Sequence, residues 1–214
     1  MSMYSMMRRL FAPSAGIIIF VLALMDSGYA SGLTNDAIPK ETNMAERTGA
    51  ITLKGNPLTL VGNEVKVGLK APDFQVLDND LKPVTLANHR GKIVVISVVP
   101  SLDTPVCDAQ TRRFNVEAGK LGQDVVILTI SMDLPFAQKR WCGAAGVDKV
   151  HTLSDHRDAS FGTAYGMFIK ELRLLARGVL IIDREGVIRY VQLVKEVGQE
   201  PDYQPVLDAV KKLV

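Results

Sequence analysis

The chain has 214 residues, 47% of them hydrophobic and 6% aromatic, with a formal net charge of +2. That is apolar material for one sizeable domain. The near-neutral balance gives no pull toward nucleic acid or an acidic membrane surface, and sparse aromatics without interleaved basic residues exclude a stacking platform for single strands.

The first thirty residues differ from the rest. Arg8 and Arg9 precede the run FAPSAGIIIFVLALM, and DSGYASG follows, with Gly28 and Ala30 placed for a cut after Ala30. A basic, an apolar and a small-residue region in that order reads as a signal peptide over residues 1–30. The apolar run is shorter than the ~20 residues needed to span a bilayer. No cysteine lies near the cut to carry a lipid, so no stable membrane anchor is expected. Residues 31–49 are polar and small and read as a flexible linker, leaving 50–214 as the domain. Translation from Met1 implies a periplasmic or secreted protein. Met44, opening MAERTGAITLKG, is an alternative start for a cytoplasmic one.

Within the domain, Ile51–Leu53 and Leu58–Val61 flank KGNP, and Phe74–Leu77 and Pro83–Leu86 flank DNDLK; both predict hairpins. Lys92–Val99 is a continuous β-branched run, as expected of a central strand buried on both faces. A helix follows over Thr104–Leu121, with Thr104 as N-cap and Pro105 at the first helical position. Phe114, Ala118 and Leu121 fall within about 40° of Cys107 on a wheel of ~100° per residue, so Cys107 faces the core. Val125–Ser131 reads as a strand, Pro135–Cys142 as a helix stopped by GAAG, Val150–Leu153 as a strand and Ala159–Tyr165 as a helical turn. Gly178–Ile182 and Val187–Val194 flank DREG, a hairpin, and Asp202–Leu213 is a C-terminal helix. The order predicts an α/β sheet with helices on both faces.

The chemistry centres on PSLDTPVC, Pro100–Cys107, between the central strand and the following helix. A thiol in the first turn of a helix sits near unpaired N–H groups and the positive end of the helix dipole, and both favour the thiolate. Thr104 can cap the helix and also reach a ligand beside the sulfur. The thioredoxin-type slot C-x-x-C reads Thr104-Pro105-Val106-Cys107 here, which disfavours a dithiol oxidoreductase. The second cysteine, Cys142, follows Trp141. From the residues alone it is a partner thiol, half of a static disulfide in a secreted, non-catalytic binding module, or an unrelated buried thiol. Arg177, at the entry to the strand LLARGVLIID, is expected to be partly buried and paired; beside a thiolate it would stabilise the anion and donate to a bound oxygen pair. Arg112 and Arg113 read as a solvated helix face, and His151 and His156 as surface residues. His89, His151 and His156 lack metal-type spacing with a cysteine.

PSLDTPVCDAQTRRFN, SMDLPFAQKRWCG, SDHRDASFGTAYG and LLARGVLIID resemble the thiol peroxidase family of atypical two-cysteine peroxiredoxins, from about Met44 to the C-terminus. Pro100, Thr104 and Cys107 meet the family pattern P-x-x-x-T-x-x-C. The resemblance implies a thioredoxin-like fold with an N-terminal β-hairpin. It matches Cys107 to the peroxidatic cysteine, which attacks a hydroperoxide and becomes a sulfenic acid. It matches Cys142 to the resolving cysteine of an intrachain disulfide, Thr104 and Arg177 to residues orienting the peroxide, and Pro100 to a shield against water. It further implies a homodimer, reduction by thioredoxin or a similar dithiol donor, and no metal, haem or flavin.

Overall fold

In chain order, the computed structural model describes residues 44–214 as β1 (Glu46–Leu53), β2 (Asn56–Val61), β3 (Gln75–Leu77), β4 (Pro83–Thr85), β5 (Ile93–Val98), α1 (Pro105–Ala118), β6 (Val125–Ser131), α2 (Pro135–Ala145), β7 (His151–Ser154), α3 (Ser160–Ala164), β8 (Phe168–Ile169), β9 (Leu174–Leu175), β10 (Gly178–Ile182), β11 (Ile188–Leu193) and α4 (Tyr203–Lys211). The signal-peptide segment 1–30 and the linker as far as residue 43 lie outside the described residues. The expected linker ends earlier than read: β1 takes in residues 46–49, with Glu46, Arg47 and Thr48 paired to β2 ahead of a bulge.

Seven strands form the main sheet in the order β11-β10-β5-β6-β7-β3-β4, with β5, β6 and β7 parallel. All six residues of β5 are buried. Ile93 and Val95 face one core cluster, with Phe114 of α1, Trp141 of α2, and Val206 and Val210 of α4. Val94, Ile96 and Val98 face the other, with Ile51, Leu60, Phe161 and Ile169. At roughly 1.5–3 kcal/mol for each fully buried large aliphatic side chain, these clusters outweigh any helix cap, worth ~1 kcal/mol.

Helices lie on both faces, as expected, but unevenly. One face carries α1, α2 and α4; the other carries a four-stranded sheet, β1-β2-β8-β9, and only the five-residue α3. The N-terminal hairpin is half of that small sheet. Helix α2 also runs past its expected stop. Gly143 stays helical, and the chain turns at Gly146, whose φ of 65° is the left-handed conformation that glycine supplies at least cost.

The hairpin turn is pinned to a segment near the C-terminus. Glu196 accepts from the Thr52 hydroxyl at 2.8 Å and from the Lys54 and Gly55 amides at 2.9 and 3.2 Å. Thr52 also exchanges backbone hydrogen bonds with Lys195 and Val197. These donors hold the Glu196 carboxyl at about 2, well below the usual range.

Candidate active site

Side-chain parity on β10 decides where Arg177 points. Val179 and Ile181 face α1, so Arg177, two residues before Val179, faces α1 too. Gly178 pairs with Val98 at the end of β5, and the following loop carries Pro100 into α1. The guanidinium therefore reaches the first turn of α1, where Cys107 is fully buried.

Arg177 is only 2% exposed. Its Nε donates to the Val197 carbonyl at 2.9 Å, Nη1 to Gln110 Oε1 at 2.7 Å, and Nη2 to Cys107 Sγ at 3.2 Å. None of these partners is a carboxylate. A buried cation without an anion is strongly unfavourable, and among these three partners the Cys107 sulfur is the one able to carry a negative charge. Three of the five guanidinium N–H groups are engaged, which leaves two for an incoming ligand.

Thr104 sits at the N-cap of α1 but makes no side-chain cap bond. Its hydroxyl lies 2.9 Å from Cys107 Sγ and 3.0 Å from the Ser101 carbonyl. It has one proton, so it donates to the carbonyl when the sulfur carries its own proton and to the sulfur when it does not. Pro100 is buried, and Val99, Leu102 and Trp141 pack around the thiol. The loop is tied down by Asp133, which accepts from the Ser101 hydroxyl and the Leu102 amide, both at 2.7 Å. Thr104, Cys107 and Arg177 thus share one site, with Pro100 buried in the loop that leads into it.

Cys142 does not join them. It is half-buried on α2, its sulfur 3.3 Å from Thr152 Oγ1 on β7. Cys107 lies beyond the ends of β5 and β10, and β6 runs between β5 and β7. Both cysteines are free. A static Cys107–Cys142 staple does not fit this placement.

The Redoxin family model matches residues 66–207. A thiol peroxidase of Bacillus subtilis (strain 168) is 62% identical over 164 residues, covering 77% of this chain and 98% of that protein. The chain belongs to the thiol peroxidase family. A thiol peroxidase of Listeria innocua serovar 6a is 56% identical over 162 residues, covering 76% of this chain and 98% of that protein. A peroxiredoxin-like protein from Aquifex aeolicus, solved by crystallography, superposes with a TM-score of 0.73 at 45% identity, covering 80% of this chain and 99% of that one. The fold is thioredoxin-like, and nothing in these matches supports a non-catalytic binding module.

One residue of this site, and one arginine outside it, escape a reading of the sequence. Gln110, fully buried, accepts from Arg177 and donates to Ser97 Oγ at 2.9 Å; its one signal is an uncharged polar residue one turn after Cys107 on the core-facing side. Arg112 is not simply solvated. It bonds Asp108 at 2.8 Å, donates to the Ala145 carbonyl at the end of α2 at 2.6 Å, and lies 5.8 Å over the Trp141 ring. Arg113 pairs with Glu117 at 3.2 Å and lies 5.7 Å over Tyr203. His151 is exposed, whereas His156 is half-buried with Nδ1 2.8 Å from Ser154 Oγ.

Size does not locate the chemistry. A cavity of about 420 Å³ lies at the other end of β5 and β10, against Val94 and Ile182. Another, of about 350 Å³, borders Cys142, His89 and His151. Burial and the neighbouring His151 push the His89 imidazole below its usual value. Among the described residues no three His, Cys, Asp or Glu side chains cluster to hold a metal, and no helix is long and apolar enough to cross a membrane.

Proposed function

We propose that this chain is a thiol-dependent peroxidase in which Cys107 is the peroxidatic and Cys142 the resolving cysteine. The observation that carries the reading is the buried Arg177 donating to Cys107 Sγ with no carboxylate to neutralise it. The Cys107 thiolate attacks the terminal oxygen of hydrogen peroxide or an organic hydroperoxide. The O–O bond breaks, the departing oxygen takes a proton and leaves as water or alcohol, and the sulfur keeps the other oxygen as a sulfenic acid. The two remaining Arg177 N–H groups and the Thr104 hydroxyl are placed to hold the two peroxide oxygens and the charge that develops as they part. Pro100, buried in the loop that leads into α1, takes the role of keeping water from the pocket.

Cys142 then attacks the sulfenic sulfur, forming the disulfide and releasing water. With strands of the main sheet between the two sites, this step requires local unwinding at both cysteines. Thioredoxin or a similar dithiol donor returns the pair to thiols. A chain made from Met1 is exported and uses a donor other than cytoplasmic thioredoxin; one made from Met44 is cytoplasmic. N-terminal sequencing of the mature protein decides between them. Leu134 and Phe136, 52% and 65% exposed beside Asp133, support a homodimer, which sedimentation tests.

The direct test is thiol titration before and after one equivalent of peroxide. Two thiols are expected to disappear per peroxide consumed, and none in Cys107→Ser. Full peroxide consumption by that variant would overturn the assignment.

A further inference from the structure

We infer that Arg112 and Thr152 act together as a latch on Cys142, and so set how fast a sulfenic acid at Cys107 is resolved. This rests on the reading of Cys142 as the resolving cysteine and adds the residues that control its release.

The turn bearing Cys142 is held from two sides. From β7, Thr152 places its hydroxyl 3.3 Å from Cys142 Sγ. That hydroxyl is itself fixed, since Thr152 is 4% exposed and Oγ1 accepts from Asn79 Nδ2 at 2.9 Å. From α1, Arg112 donates to the Ala145 carbonyl at 2.6 Å and covers Trp141, the neighbour of Cys142. The same guanidinium bonds Asp108, the residue after Cys107. One side chain therefore spans both cysteine-bearing helices.

Cys142 cannot reach Cys107 while these contacts persist. Its sulfur meets Thr152 on β7, whereas Cys107 meets Arg177 at the entry to β10, and β5 and β6 lie between those two strands. The Thr152 contact and the Arg112 bond to Ala145 must both break before the disulfide forms, so each adds to the barrier for resolution. The end of α2 is otherwise easily opened: Gly143 weakens the last turn, and only the Gly146 and Val147 amides cap the Cys142 carbonyl. The chemistry balances without a further reagent. The Cys142 thiol supplies the proton, the sulfenic hydroxyl leaves as water, and one S–S bond replaces one S–H and one S–O bond. A sulfenic acid that waits longer for Cys142 meets a second peroxide more often and becomes a sulfinic acid. The latch therefore sets the partition between turnover and overoxidation.

The test is single-turnover stopped flow on the full chain, read by fluorescence of Trp141, the chain's one tryptophan. Peroxide attack gives the first phase and disulfide formation the second. Thr152→Val and Arg112→Ala are each expected to accelerate the second phase roughly two- to tenfold, the worth of one net hydrogen bond. Both leave the first phase unchanged, lower the sulfinic fraction seen by mass spectrometry in excess peroxide, and speed amide exchange over residues 141–147. Thr152→Ser, which keeps the hydroxyl, stays at the wild-type rate. A second phase unchanged or slowed in Thr152→Val or in Arg112→Ala overturns the latch, as does a Thr152→Ser variant as fast as the valine. Cys142→Ser separates this from the underlying assignment: a second phase that persists there overturns the resolving role itself, whereas unchanged amide exchange in the latch variants overturns only the latch.

Discussion

Cys107 has no exposed surface and two side-chain donors on its sulfur, from Thr104 and Arg177. Cys142 is half-buried and has a single contact at 3.3 Å. The donors to Cys107 are themselves fixed: Arg177 by Gln110 and Val197, and the loop bearing Thr104 by Asp133. The difference follows the task. In the proposed roles, a sulfur that attacks peroxide gains from a rigid shell around the separating oxygens, whereas a sulfur that travels to resolve it gains from few tethers.

Substitutions can break this contrast at its strongest point first. Cys107→Ser removes the nucleophile, and peroxide consumption is expected to fall about a thousandfold or more in a coupled assay with a dithiol donor. Arg177→Met is expected to slow the first stopped-flow phase by about a hundredfold. Arg177→Lys will not restore it, because an ammonium cannot reach the Val197 carbonyl, Gln110 and the sulfur at once. Gln110→Leu, which frees one arm of that guanidinium, is expected to cost about tenfold in the same phase. Cys142→Ser sharpens the contrast from the other side. Its first phase stays near wild type, its turnover with thioredoxin falls at least about tenfold, and sulfinic acid accumulates in the mass spectrum.

The smallest effect lies outside the site. Asp155 is 2% exposed and accepts from the Phe161 and Gly162 amides, and burial outweighs those bonds to push its carboxyl up to about 6. The folded state then holds the proton more tightly than the unfolded chain. Stability from this group is full below about pH 4 and is lost as pH rises toward 6, by of the order of 3 kcal/mol. Urea unfolding at pH 4.5 and pH 7 is expected to show about 2 kcal/mol of that loss in the wild type, the rest having gone by pH 4.5, and none in Asp155→Asn.

The contrast between the cysteines also explains what the sequence discloses. β5, β6 and β10 are readable because unbroken β-branched runs signal burial on both faces, and the inward direction of Cys107 follows from the period of α1. Parity with Val179 would have turned Arg177 toward α1 as well. The strands β8 and β9 have two residues each, too short for any alternation, and so the small sheet was invisible beyond its hairpin. Gln110 was missed because one polar residue does not break a helical stripe. Arg112 was misread because a long side chain on an exposed position can still reach a neighbouring helix. The stop of α2 was placed early because glycine lowers helix propensity without forbidding it.

The clasp at Glu196 has a consequence for the order in which the protein comes into being. The Val197 carbonyl that steadies Arg177 lies 90 residues after Cys107 in sequence, and Glu196 must meet a hairpin made some 140 residues earlier. A ribosome delivering residues at about 5–20 per second therefore releases Cys107 seconds before its guanidinium and that guanidinium's anchor exist. The growing chain carries Cys107 without the groups that hold its sulfur, and that shell is complete only once Val197, just ahead of α4, has been made.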